Sequence, residues 1–399
     1  MKRTYYLSLI FIFLFACSKD ENTKTEIETE IETKVDFLVS DYQSKSFSPF
    51  TINYVTSLIT DELSVYDYKP VQGIKMVYNT VDHENKSLEA SGYLFIPEGF
   101  DVNLPLVSVQ HGTISSNDQA PTNSSLGQNE MTFGVVLSSL GAIVAISDYV
   151  GYGSSRDHKH PYMHKENLAR SSYDFLHAAN EYLDREDIKT NGELFLAGYS
   201  EGGYATMALH QLIEKENKFK VTHSLPGAGA YDLTAFSKEI FAKDEELPFM
   251  STYVWVLEVY NELFESLKNP LDTYFNEPYA SNLSNLNEIN APIDSTLINF
   301  NPQILFKKEI IDEVVNGEDS ALTKVIALNN THDWKPEAEI TLFHGTADSF
   351  VFPLNSLSAL DKIKAKGGEV NYVELEGKTH ETAIIPYFLE VINIIIDKN

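Results

Sequence analysis

Ser200, Asp348 and His380 are the residues whose types and order would support acyl transfer. Ser200 stands in Leu194-Phe195-Leu196-Ala197-Gly198-Tyr199-Ser200-Glu201-Gly202-Gly203. This is a short apolar run, a Gly-x-Ser-x-Gly turn, and then a stretch where Ala205, Ala208, Leu209, Leu212 and Ile213 recur at helical spacing. A strand, a strained turn and a helix in that order present a serine hydroxyl, and Gly198 and Gly202 let strand and helix pass close together. The helix N-terminus behind the serine favours a developing negative charge. A serine hydroxyl is nevertheless a weak nucleophile at neutral pH. It needs a base to take its proton and a carboxylate to orient that base.

With the serine on such a turn, the partners are expected in the order acid, then histidine. His380, in Gly377-Lys378-Thr379-His380, is the only one of the 11 histidines beyond the last predicted strand, 370–375, and is the base expected. Asp348 follows a predicted strand at 339–343 and is the favoured acid. Asp232, after the strand that succeeds the serine turn, is its rival, and would otherwise brace a loop. Asp348 and His380 both lie where chain leaves the carboxyl end of a strand, the edge at which open parallel sheets build their sites.

A tetrahedral intermediate needs two donors for its oxyanion. The Glu201 N–H, next to the nucleophile, is one. The other is expected at Gly112 or Thr113, in Gln110-His111-Gly112-Thr113 after an early strand, with Thr113 favoured. His111, Tyr149 and Tyr199 are candidate pocket residues, Tyr149 within Asp148-Tyr149-Val150-Gly151-Tyr152-Gly153 after another strand end. His158, His160 and His164 invite a metal reading, but no carboxylate or thiolate cluster at ligand spacing accompanies them, so no metal is assigned.

The elements needed to position these groups are legible. Paired strands are predicted at 74–81 and 88–96, then strands at 104–109, 142–146, 219–225, 339–343 and 370–375 besides the one before Ser200. Helices are predicted at 131–140, 167–182, 353–364 and 382–396. The run Ala142-Ile143-Val144-Ala145-Ile146 lacks alternation, as expected for a strand covered on both faces. Strand–helix alternation implies an α/β fold, a mostly parallel sheet with helices on both faces. Between residues 231 and 336 the alternation lapses into aromatic-rich helical pattern, with Tyr253, Val256, Leu257, Tyr260 and Phe264. This segment is expected to be an inserted cap, leaving 46–230 and 337–399 as the core; peripheral helices without a role at the site are the alternative.

At 399 residues with 43% apolar content the chain can bury a large core, and its net charge of -28 argues against nucleic acid as a partner. Lys2 and Arg3 precede an apolar run that leads through Leu14-Phe15-Ala16 to Cys17, the single cysteine. The run is short for a membrane span and is expected to be a signal peptide, 1–16. Leu-x-Ala-Cys there resembles the lipobox of bacterial lipoproteins, which implies lipidation of Cys17; an ordinary secretory signal is the alternative. Ser18-Lys19-Asp20-Glu21 resembles a surface-export signal of some Gram-negative lipoproteins, so a cell-surface outer-membrane location is expected, with membrane contact through the anchor only. Residues 17–45, with the repeat Thr25-Glu26-Ile27-Glu28-Thr29-Glu30, are expected to be an acidic disordered tether.

Taken together, Gln110-His111-Gly112-Thr113, Asp148-Tyr149-Val150-Gly151-Tyr152-Gly153, His160-Pro161-Tyr162, Gly198-Tyr199-Ser200-Glu201-Gly202-Gly203, Asp348 and His380 resemble the α/β-hydrolase superfamily, and within it the secretory-lipase-like esterases. The resemblance runs from about Gly73 to the C-terminus, except after Tyr231. It implies a serine hydrolase that forms an acyl-enzyme without a cofactor and cleaves small-molecule or lipid esters. It also implies Ser200 as nucleophile, His380 as base and Asp348 as acid. An exopeptidase on the same fold, with Glu201 or a cap carboxylate holding the substrate amine, is the nearest rival. A surface binding protein that has lost the chemistry is the more distant one.

Overall fold

The structure is a computed structural model, and it describes residues 36–284 and 290–396. The signal-like run, Cys17 and the tether up to residue 35 lie outside the described residues. One nine-stranded sheet organises the rest. Its strands are β1 (Leu38–Phe47), β2 (Val71–Val81), β3 (Ser87–Pro97), β4 (Leu104–Gln110), β5 (Ile143–Ser147), β6 (Thr190–Tyr199), β7 (His223–Gly227), β8 (Glu339–Gly345) and β9 (Val370–Leu375). They lie side by side in the order β1-β2-β3-β5-β4-β6-β7-β8-β9. The first three are antiparallel, β3 is antiparallel to β5, and from β5 to β9 every pairing is parallel.

The inner strands show why their sequences do not alternate. Val107 and Val109 of β4 pack with the helices Asn129–Ser139 and Ile384–Ile396, where Phe133 stacks on Phe388 at 4.2 Å. Leu106 and Leu196 face the other way, against Leu176 and Leu209 of the helices Lys165–Arg185 and Glu201–Glu216. Both faces are covered, so successive side chains are both apolar.

Two expectations are corrected. The tether does not run to residue 45: 38–47 form the edge strand β1, with Phe47 opposite Val71 and Tyr42 opposite Lys75. An edge strand with a solvent-facing side tolerates Ser40, Asp41, Gln43 and Ser44, which makes it look like linker. The strand expected at 219–225 is His223–Gly227. Phe219 instead sets its ring edge-on to Tyr173, outside the sheet.

Between β7 and β8 the chain leaves the sheet layer. The helices Leu233–Ala242, Met250–Leu263, Lys308–Asn316 and Ala321–Leu328 gather around Met250, Val254, Trp255 and Leu305, in an apolar cluster that continues into Tyr149, Tyr162, Met163, Leu168 and Tyr204. This inserted cap presents aromatic side chains to the carboxyl edge of the sheet.

Candidate active site

Ser200 has φ 62° and ψ −122°, a strained conformation between β6 and the helix Glu201–Glu216. The crossing behind it is so close that a Cβ on Gly202 would lie 2.1 Å from the Gln110 carbonyl oxygen, and one on Gly198 would lie 2.4 Å from the Gly202 carbonyl oxygen. These are backbone atoms that cannot yield, so both positions require glycine. The Ser200 N–H donates to the Gly227 carbonyl at 2.9 Å. Below the turn the buried Tyr387 hydroxyl accepts from the Gly198 N–H at 2.8 Å and lies 2.7 Å from the Leu225 carbonyl.

His380 Nε2 is 2.8 Å from Ser200 Oγ, and His380 Nδ1 is 2.6 Å from Asp348 Oδ2. The other carboxylate oxygen accepts from the Phe350 and Val351 N–H groups, each at 2.9 Å. His344, on β8, adds its Nε2 at 3.3 Å from Oδ2. Burial alone would raise the Asp348 pKa, but the hydrogen bonds and charges of His344 and His380 outweigh it and bring it down to about 2. Asp348 is therefore a carboxylate at neutral pH. The Tyr199 hydroxyl donates to the His380 carbonyl at 2.8 Å, and the Phe350 ring stands edge-on to the imidazole at 4.9 Å. Tyr199 thus holds the histidine loop.

Asp232 stands elsewhere. Its Oδ1 accepts from the Ala235 N–H at 2.9 Å, capping the helix Leu233–Ala242, and its Oδ2 accepts from Ser358 and lies 3.3 Å from His332. It touches neither Ser200 nor His380.

The Glu201 and Thr113 N–H groups donate to no described residue, which leaves both free for an oxyanion. Gly112 does not share that freedom. Its N–H donates to Glu130 Oε1 at 2.9 Å, so of the two expected second donors only Thr113 keeps an undonated N–H. Gly112 matters sterically, since a Cβ there would meet the Tyr199 carbonyl at 3.2 Å and Ser200 Cβ at 3.9 Å. His111 and Tyr149 brace this loop from beneath. The Tyr149 hydroxyl donates to the His111 carbonyl at 3.1 Å, the two rings stack at 4.0 Å, and His111 lies with its ring nitrogens near the Gly112 and Asp148 carbonyls. They are fully buried and face backbone, so they support the site from outside the pocket.

The three histidines of the 158–164 stretch go separate ways. His158 is exposed. His164 caps the helix Lys165–Arg185, its Nδ1 accepting from the Asn167 N–H at 3.3 Å, and burial pushes its pKa down to about 4. His160 sets Nε2 2.8 Å from Glu201 Oε1 and Nδ1 2.8 Å from the Val150 carbonyl. Among the described residues no group of three or more His, Cys, Asp or Glu side chains is placed to hold a metal ion.

Sequence reasoning missed Glu130, Tyr162, His344 and Tyr387. The Tyr162 hydroxyl lies 2.9 Å from Thr113 Oγ1, and the cap residue Trp255 stacks flat on its ring at 4.0 Å and 9°. The cap also reaches the histidine side: the Tyr253 hydroxyl donates to the Phe350 carbonyl at 2.7 Å, and Phe249 stacks on Phe350 at 4.0 Å. The cap carries an apolar pocket of about 80 Å³ lined by Phe236, Ile240, Tyr253, Val256, Leu257 and Ile326. His160-Pro161-Tyr162 was the one legible signal for Tyr162; the other three carried none.

Residues 116–393 match the family model of the secretory lipases. The fold is similar to that of a Legionella pneumophila protein assigned as a hydrolase, at TM-score 0.81 and 23% identity over 90% of this chain and 98% of that one. It is also similar to the rice cell wall degrading esterase LipA of Xanthomonas oryzae (TM-score 0.74, 20% identity, 91% and 97% covered). Candida antarctica lipase A is similar at TM-score 0.65 and 14% identity, with 91% and 82% covered. None of the curated proteins compared matches the chain. The chain belongs to the secretory lipase family, carboxylic ester hydrolases of the α/β-hydrolase fold.

Proposed function

We propose that the protein cleaves carboxylic esters through an acyl-enzyme on Ser200. His380 takes the Ser200 proton as Oγ attacks the carbonyl, and Asp348 holds the imidazole with Nδ1–H toward itself and stabilises the imidazolium. The Glu201 and Thr113 N–H groups bind the oxyanion. The alcohol leaves with the proton from His380 Nε2, and water, deprotonated by the same nitrogen, releases the acid. The observation that carries this reading is the relay from Asp348 to His380 at 2.6 Å and on to Ser200 at 2.8 Å, beside two undonated N–H groups. The aromatic cap favours an apolar or aromatic acyl group.

The exopeptidase alternative loses its amine partner at Glu201, whose carboxylate is 1% exposed and engaged by His160. Turnover of p-nitrophenyl esters and aminoacyl nitroanilides, side by side, separates the readings. Ester cleavage that falls by about 10⁶-fold in Ser200→Ala at unchanged folding is the expected result. Preference for the nitroanilides would favour the peptidase, and absence of both activities the binding protein.

A secretory family fits an exported protein. The finer arrangement proposed is a lipid on Cys17 and an acidic tether that holds the hydrolase at the outer-membrane surface. Cys17→Ser is expected to abolish incorporation of labelled fatty acid, and label that persists would remove the anchor.

A further inference from the structure

We infer that the turn His160-Pro161-Tyr162 clamps both oxyanion donors and couples them to the seating of the cap; this deepens the hydrolase reading and rests on it. Glu201 opens its helix, so its backbone N–H and its side chain leave the same residue in different directions. The N–H donates to no described residue, while the carboxylate is gripped by His160 Nε2 at 2.8 Å. The Val150 carbonyl can only accept, so His160 Nδ1 carries a proton toward it. A proton then also bridges Nε2 and Oε1. With these side chains 0% and 1% exposed, water does not compete for that bond, and the Ser200–Glu201 peptide cannot tilt without breaking it. The His160 backbone is held as well: Gly151, at φ +97°, packs so closely that a Cβ there would lie 2.5 Å from His160 Cα.

The second donor belongs to Thr113, whose Oγ1 is 2.9 Å from the Tyr162 hydroxyl. One turn therefore fixes both halves of the hole. The same stretch is the seat of the cap helix Met250–Leu263. Trp255 lies flat on Tyr162, buried Lys159 pairs with Glu258 at 2.7 Å and with Glu262, and the Tyr260 hydroxyl donates to the Met163 carbonyl at 2.8 Å. A shift of this helix on substrate entry is transmitted through Tyr162 to Thr113. His160 and Tyr162 are positioning residues, acting through Glu201 and Thr113.

The test uses the full chain and the variants Tyr162→Phe, Glu201→Gln, Glu201→Ala and Trp255→Phe. Ester kinetics are measured beside the Ki of a trifluoromethyl ketone, whose serine adduct places an oxyanion in the hole. Glu201→Ala is expected to lower kcat by about 10²-fold with KM within about twofold, since misplacement of a donor costs transition-state rather than ground-state binding. Glu201→Gln, which keeps length and one hydrogen bond, restores most of the rate. Tyr162→Phe, which keeps the stack on Trp255, lowers kcat by about tenfold, and Trp255→Phe by less. Across the series Ki rises by the factor by which kcat/KM falls. Tyr162→Phe with wild-type kcat and Ki, or rates that fall while Ki stays constant, would overturn the clamp, even if Glu201→Ala does not fold. Those outcomes leave the hydrolase reading standing, whereas a wild type that cleaves no ester removes both.

Discussion

At Asp348 one carboxylate oxygen serves His380 while the other takes two backbone N–H groups, and this division sets what substitutions there should do. Asp348→Asn keeps the shape but presents an amide to His380 Nδ1, so the imidazole is held in the wrong tautomer. A fall in kcat of about 10⁴-fold is expected, with KM little changed. Because the carboxyl pKa is lowered from 3.8 to about 2, its ionised form stabilises the fold above the unfolded value, by roughly 2 kcal/mol, and that contribution is lost as pH falls through 4 toward 2. Denaturant titrations of wild type and Asp348→Asn should accordingly differ fully near neutrality and converge in acid; a gap that widens in acid would contradict this assignment. Asp232→Ala makes the contrast. It removes a helix cap, costing about 1–2 kcal/mol by denaturation, and should leave kcat/KM within about threefold. A loss of activity on the scale of Asp348→Asn would restore Asp232 as the acid. Sequence order could shortlist these two carboxylates because both follow strands, but only the path of the β8 loop brings one of them to His380. Gly112 shows the same limit. Its N–H is claimed by Glu130, 18 residues away, and no local pattern announces that contact.

At the scale of the elements, the serine turn depends on contacts made far along the chain. Tyr387, in the last helix, puts one hydroxyl against the backbone of β6 and β7 directly under the turn. Tyr387→Phe removes the buried hydroxyl that accepts from the Gly198 N–H and donates toward the Leu225 carbonyl. A loss of about 2 kcal/mol by chemical denaturation is expected, and unchanged stability would count against this bracing. Most of the sheet was legible because its inner strands are short apolar runs between helical periods. β1 was not, because an edge strand exposes one side and carries polar residues there. The cap resisted a detailed sequence reading for a different reason: its later helices are short, Lys308–Asn316 with 9 residues and Ala321–Leu328 with 8, so each offers little more than two turns of periodicity.

For the whole molecule, the strand order places the serine turn, the Asp348 loop and the His380 loop at the carboxyl ends of neighbouring strands β6, β8 and β9, with β7 between. The described part from Asp36 onward contains every residue of the candidate site, so a chain starting at Asp36 is expected to match the full chain in ester kcat/KM. A chain starting at Phe50 lacks β1. It should melt several degrees lower, since each 1 kcal/mol shifts the midpoint of a domain of this size by about 2 °C or more. Equal melting temperatures would mean β1 adds nothing to the fold. The net charge of -28 over the full sequence argues against nucleic acid as a partner.

The most direct measurement is reaction of the full chain with a fluorophosphonate, followed by mass-spectrometric mapping, on wild type and His380→Ala. Label confined to the peptide bearing Ser200, forming about 10³-fold more slowly in His380→Ala, is the result expected of a serine activated by that histidine. A folded wild type that takes no label, or takes it at another serine, would contradict Ser200 as the nucleophile.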